Sequence, residues 1–116
     1  QPYNAERAGP IMGFFFNTLL TLDMTTGKAD SWFAGDTSTT QEPVFAPRHA
    51  AAAEGDGYVM CVVNRREQHR SDLVILDAQR MSEGPVAVVK CPVRLKYGIH
   101  GNWVPATSLA WANLPA

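Results

Sequence analysis

The feature that most constrains this chain is a rhythm of short apolar β-type runs, separated by turn signals, with almost no helical period. An amphipathic helix repeats its apolar residues every three or four positions. A strand instead alternates, or stays apolar for about five to eight residues between Gly, Pro, Asn and Asp. The second pattern dominates here. Runs at 11–16 and 19–24 come first, and DMTTGK at 23–28 reads as a hairpin turn in which Gly27 takes the positive φ. Residues 29–34, including Trp32, read as the return strand. A polar stretch rich in Gly, Ser and Thr at 35–41 reads as a connection to EPVFAPR at 42–48, where Pro43 and Pro47 confine the segment to a strand end or a sheet edge.

The EGDG turn at 54–57 leads into 58–63, an almost unbroken apolar run typical of a strand buried on both faces. A charged tip at 64–70 separates it from SDLVILD at 71–77. Residues 78–81 have room for one helical turn, SEGP at 82–85 redirects the chain, and 86–91 is a final strand. Beyond Pro92 regularity ends, and YGIHGNW at 97–103 suits no regular element; the only helical candidate, at 50–54, is too short to matter. Six to eight short strands with turns roughly every 8–12 residues define an all-β fold, a sandwich, barrel or propeller. An internal echo favours the propeller over a small β-sandwich. LTLD at 20–23 and LVILD at 73–77 each precede a turn and a strand, about fifty residues apart, near the period of one four-stranded blade.

Composition narrows the function classes. At 46% hydrophobic and 18% charged, the 116 residues can bury a core and are not a disordered tail. A net charge of −1 argues against a nucleic-acid partner, which calls for a clustered basic surplus. No apolar run approaches the roughly 18–20 residues of a spanning helix. Cys61 and Cys91 each sit in an apolar strand-like stretch and read as reduced, buried small hydrophobes, so a reducing, cytoplasmic compartment is expected. The chain opens at Gln1-Pro2-Tyr3, without an initiator Met or a signal peptide, directly into folded-looking sequence, and is expected to be part of something longer.

Few residues promise chemistry. There is no phosphate-binding Gly loop, CxxC pair, HExxH or GxSxG. His69 lies in the charged tip and His49 in a loop, and the two do not make a metal set with His100. His100 differs in context: Gly98 and Gly101 flank it, which lets the backbone turn sharply or approach something closely. An imidazole presented that way suits a metal ligand or a catalytic base, and equally a hydrogen-bonded structural residue. Glu54, Asp56, Glu67 and Glu83 fall in turns and read as solvated. Glu42 starts an apolar strand and is pinned by Pro43, so its carboxylate needs a partner: backbone or solvent in one reading, an orienting bond to a ligand imidazole in the other. Trp32, Trp103 and Trp111 read as packing residues.

Taken in order, EPVFAPR at 42–48, GYVM at 57–60, DLVILDA at 72–78, GPVA at 84–87 and YGIHGNW at 97–103 resemble the C-terminal end of the carotenoid cleavage oxygenases. That family includes the lignostilbene dioxygenases and the retinal pigment epithelium isomerase. The likeness runs from about 19 to 104, and the pairing of EPVF with HGNW is its most specific part. It implies that residues 1–116 are the incomplete C-terminal portion of one seven-bladed β-propeller, about two blades of it. It implies Fe(II) on the propeller axis, held by four histidines, and O2 insertion across a conjugated C=C bond of a carotenoid, apocarotenoid or stilbene to give two carbonyl fragments. His100 matches the last of the four ligands, and Glu42 matches one of the glutamates that orient them, its expected partner being His100 itself. Ile99 departs from the usual Phe, and 9–16 matches poorly the Arg- and Tyr-containing stretch expected there.

The other three histidines would lie upstream, so the chain by itself is expected to be catalytically silent. It is also expected to associate through its open sheet edges until the remainder of its own propeller covers them. The alternative is a non-catalytic β-propeller or β-sandwich interaction module with His100 and Glu42 in structural roles. Separation of those two side chains would favour it.

Overall fold

A computed structural model describes residues 16–109, and every regular pairing in it is antiparallel β. The sequence runs on 11–15 and Trp111 lie outside the described residues. The first element is a hairpin of β1 (Thr18–Leu22) and β2 (Ala29–Phe33), with Leu20 opposite Ser31 and Leu22 opposite Ala29. Its turn forms as read: Gly27 adopts φ 71°, and Asp23 Oδ1 accepts from the N–H groups of Thr25 (2.8 Å) and Thr26 (3.1 Å). Backbone bonds from Gly27 N–H to Asp23 O (2.7 Å) and from Asp23 N–H to Lys28 O (2.9 Å) close the turn, and the Asp23 side chain satisfies the N–H groups inside it.

The second sheet holds five strands in four rows. Its edge row is shared by β3 (Ser38–Thr40) and β4 (Val44–Pro47), which both pair with β5 (Gly57–Arg65); β6 (Arg70–Asp77) and β7 (Pro85–Lys90) follow. β3 lies against 63–65 and β4 against 57–60. The edge row is broken between them at Gln41, Glu42 and Pro43, where a proline has no N–H to give to a ladder. A bulge between Ile75 and Leu76 admits Val86 where β6 meets β7.

The core lies between the sheet and the hairpin. Val59, Cys61 and Val63 of β5, Val74 and Leu76 of β6, Leu19 of β1, Ala34 and Met81 form one buried cluster, with Trp32 packed against it. Val63, Val74 and Leu76 are fully enclosed, each stabilising the fold by about 1.5–3 kcal/mol relative to exposure. Backbone and side-chain bonds tie the layers together. Ala34 N–H donates to Asn17 O, Thr40 N–H to Phe16 O, and Ser82 N–H to Asp30 Oδ2.

Several local expectations shift. The connection at 35–41 contains β3, whose Ser38 and Thr40 are buried polar residues that carry no apolar signal. β5 is not buried on both faces: its residues alternate, with Val59, Cys61 and Val63 toward the hairpin and Tyr58, Met60 and Val62 on the half-open side. The helical turn comes later, at Met81–Glu83, because residues 78–80 cap the end of β6 around Asp77. Cys91 is only partly buried. Asp56 is paired with Arg48 at 2.7 Å rather than simply solvated. The two sheets amount to one four-rowed sheet and one hairpin, since two of the short strands read from the sequence occupy a single row.

Candidate functional site

On the half-open face the irregular tail returns across the sheet and makes a groove of 430 Å³. Val44, Met60, Val62 and Leu73 form its floor, and residues 98–103 form the opposite wall. The glycines of the tail work by close approach, not by a left-handed turn, since neither Gly98 nor Gly101 has a positive φ. A Cβ on Gly98 would sit 2.9 Å from Gln41 Oε1, and one on Gly101 3.0 Å from Val44 Cγ2. A side chain at either place would push Gln41 or Val44 aside, so the two glycines let the tail lie close against the edge row where β3 gives way to β4.

His100 is held there. Its Nδ1 lies 2.8 Å from Glu42 Oε2. An ionised carboxylate can only accept, so Nδ1 carries the proton and donates it. The ring's other nitrogen, Nε2, is left on a side chain that is 85% exposed. In its neutral form an imidazole anchored in this way presents a lone pair on Nε2 with its tautomer chosen, the form a metal ligand takes. Direct contact between His100 and Glu42 is not what a module with unrelated structural residues at these positions calls for.

The other histidines do not join it. His49 is exposed in the bend after β4, and His69 sits exposed at φ 49° in the turn between β5 and β6. Among the described residues no three His, Cys, Asp or Glu side chains gather into a metal-holding cluster. The residues present therefore fit one ligand's share of a metal site. Trp32 packs as expected, while Trp103 stays 45% exposed on the groove wall.

Charged residues that the sequence reading passed over fix the sheet around the groove. Asp72 is 1% exposed; its carboxylate accepts from Arg70 Nε at 2.7 Å and Arg65 Nε at 3.1 Å. Those bonds, Arg70's foremost, hold its carboxyl below the usual carboxylate range. Arg65 also donates to the carbonyl of Ala34 and to Ser38 Oγ, which ties the sheet to the end of the hairpin. At the other end of β6, Asp77 accepts from Gln79 N–H, Arg80 and Arg48, and is likewise lowered. Arg48 meanwhile reaches Asp56 and the Tyr58 hydroxyl and stacks over the Tyr58 ring at 4.8 Å. An Asp at each end of the apolar run 72–77 was the available signal; each pairs with one nearby arginine, Arg70 or Arg80, and with one brought from another row, Arg65 or Arg48.

An all-antiparallel sheet of four rows thus presents a carboxylate-anchored imidazole beside a groove with an apolar floor. Residues 3–105 match the family described as Retinal pigment epithelial membrane protein, and the chain belongs to that family. It is 51% identical over 92 residues to an isoeugenol monooxygenase of Pseudomonas nitroreducens, covering 79% of this chain and 19% of the relative. The fold matches the crystal structure of Pseudomonas brassicacearum lignostilbene dioxygenase with a TM-score of 0.78 and 46% identity, over 90% of this chain and 22% of that one. It also matches a cobalt-substituted Synechocystis apocarotenoid oxygenase with a TM-score of 0.71 and 33% identity, over 76% of this chain and 18% of that one. The chain thus spans about a fifth of the length of the relatives it matches.

Proposed function

We propose that this chain is the C-terminal part of a seven-bladed β-propeller oxygenase in which His100 supplies one of four histidine ligands to Fe(II) and Glu42 orients it. The observation that carries the proposal is the 2.8 Å bond from His100 Nδ1 to Glu42, which leaves Nε2 free on an exposed side chain. The donor chemistry fits: neutral imidazoles suit redox-active iron with open positions, and an outer carboxylate fixes the ring and raises its basicity. When bound, the iron would supply O2 activation for cleavage of a conjugated C=C bond, with one oxygen atom going to each of two carbonyl products.

What this chain contributes is positional. Glu42 keeps the proton on Nδ1, the close approach of Gly98 and Gly101 holds the tail on the sheet, and the floor of Val44, Met60, Val62 and Leu73 keeps that side of the groove apolar. The remaining ligands and the rest of the propeller are the partners it requires. Identities of 51%, 46% and 43% to isoeugenol, lignostilbene and carotenoid-cleaving enzymes support a conjugated alkene as the substrate class.

The test uses the longer protein containing this chain. Ferrous iron content and cleavage of a stilbene or isoeugenol are measured for the unaltered protein, His100→Ala and Glu42→Gln. Stoichiometric iron is expected in the first and its loss in the second. Glu42→Gln is expected to lower iron affinity by about 10–100-fold. A protein that binds no iron, or that stays active as His100→Ala, refutes the proposal.

A further inference from the structure

Gln41, immediately before Glu42, binds the same tail by different atoms. Its side-chain Nε2 donates to Lys96 O at 3.2 Å, and its Oε1 accepts from Gly98 N–H at 3.0 Å. One amide therefore satisfies a carbonyl and an N–H two residues apart, as the edge of a strand would, although 91–105 contains no strand. The backbone of Gln41 is itself fastened. Its N–H donates to Val62 O at 2.9 Å, and its carbonyl accepts the buried Cys61 thiol at 3.1 Å. The thiol keeps its proton, since burial pushes it up to about 11. The clasp thus hangs from the middle of β5, a central strand of the sheet, and grips the tail two residues before His100.

From this geometry we infer that Gln41 is a positioning residue for His100. It fixes where the imidazole stands, while Glu42 fixes how the ring is turned. Two restraints are needed because His100 is 85% exposed and has no packing of its own to define its place. A single bond at Nδ1 leaves the backbone free to swing about it. With 96–98 clamped as well, consecutive residues of the edge row add two anchor points beyond the Leu95 N–H bond to Ser71 Oγ. The fit is close: any Cβ at Gly98 would displace the Gln41 amide. The inference rests on the iron reading given above.

The experiment titrates ferrous iron alone, without oxygen, into the metal-free longer protein as unaltered, Gln41→Ala, Gln41→Glu and His100→Ala forms. Peptide-resolved amide hydrogen exchange is followed in parallel. Gln41→Ala is expected to weaken iron binding about tenfold, at the lower end for groups that orient a ligand, and to speed exchange across 96–103 while 57–65 and 70–77 stay protected. Gln41→Glu keeps the acceptor for Gly98 N–H and loses the donor to Lys96 O, so it is expected to fall in between. Iron affinity unchanged in Gln41→Ala but abolished in His100→Ala overturns the clasp and leaves the iron reading intact. Affinity unchanged in both overturns the iron reading, and the clasp with it. Faster exchange throughout 57–77 in Gln41→Ala would show a merely structural role and also overturn the clasp.

Discussion

Two glycines in one turn are expected to respond unequally to the same substitution, because different physics holds each. Gly57 opens β5 opposite Pro47, and a Cβ there would run into the carbonyl oxygen of Ala46 while lying 2.7 Å from Phe45 Cζ and 2.9 Å from Cε2. Carbon atoms rest about 3.5–4.0 Å apart, so the ring must retreat by about an ångström. It can, being 43% exposed. The carbonyl is backbone and can yield only if β4 separates from β5. Overpacking of this kind costs about 1–3 kcal/mol, and a lost ladder bond about 1 more. Gly57→Ala should therefore destabilise β4 by about 3 kcal/mol. Gly55 has φ 76° and nothing within 4 Å of a new Cβ, so Gly55→Ala should cost only the left-handed penalty of about 1–2 kcal/mol.

Amide exchange of the longer protein, resolved to peptides covering β4 and the 96–103 tail, reads both values. In Gly57→Ala the loss should spread to the tail, since β4 leads directly back through Pro43 to Glu42; in Gly55→Ala it should stay in the turn. Equal losses in the two variants, or a tail unaffected by Gly57→Ala, would refute the idea that β4 carries the anchor of His100.

Two further outcomes follow from the titrating groups. Asp72 and Asp77 are held below their ordinary range when folded, so their contribution is fully present above the unfolded carboxylate value of about 3.9 and is lost as pH falls through the lower folded values. Asp72→Asn should flatten the acid limb of a urea-denaturation series between pH 5 and 2, and an unchanged limb would show that Asp72 is not responsible. The Cys61 thiol, buried and pushed up to about 11, should resist alkylation at pH 8 while the partly exposed Cys91 reacts. Mass spectrometry of the alkylated protein checks this, and equal modification of the two would contradict the burial.

Much of this was written in local patterns, for local reasons. Apolar runs bounded by Gly, Pro and Asp specify strands because they leave the chain no other way to bury side chains and satisfy backbone. DMTTGK specifies a hairpin because Gly27 and the Asp23 carboxylate act within a few residues of each other. The EPVF and HGNW segments mark Glu42 and His100 through their resemblance to a family. β3 stayed hidden because Ser38 and Thr40 are buried as polar residues, and the networks of Asp72 and Asp77 because Arg65 and Arg48 join the nearby Arg70 and Arg80 from other rows.

Sequence by itself determined the all-β class and most strand positions, since each depends on chemistry carried within a few neighbouring residues, while Glu42 and His100 were singled out by the resemblance of EPVF and HGNW to a family. Only the tertiary structure decided that β3 and β4 share one row, that Gln41 and Glu42 stand at the break between them, and that His100, 58 residues beyond Glu42, comes to rest 2.8 Å from its carboxylate. Those facts are products of strand pairing across β5. A chain read one window at a time contains the bonding groups of such a contact but not the register that brings them together.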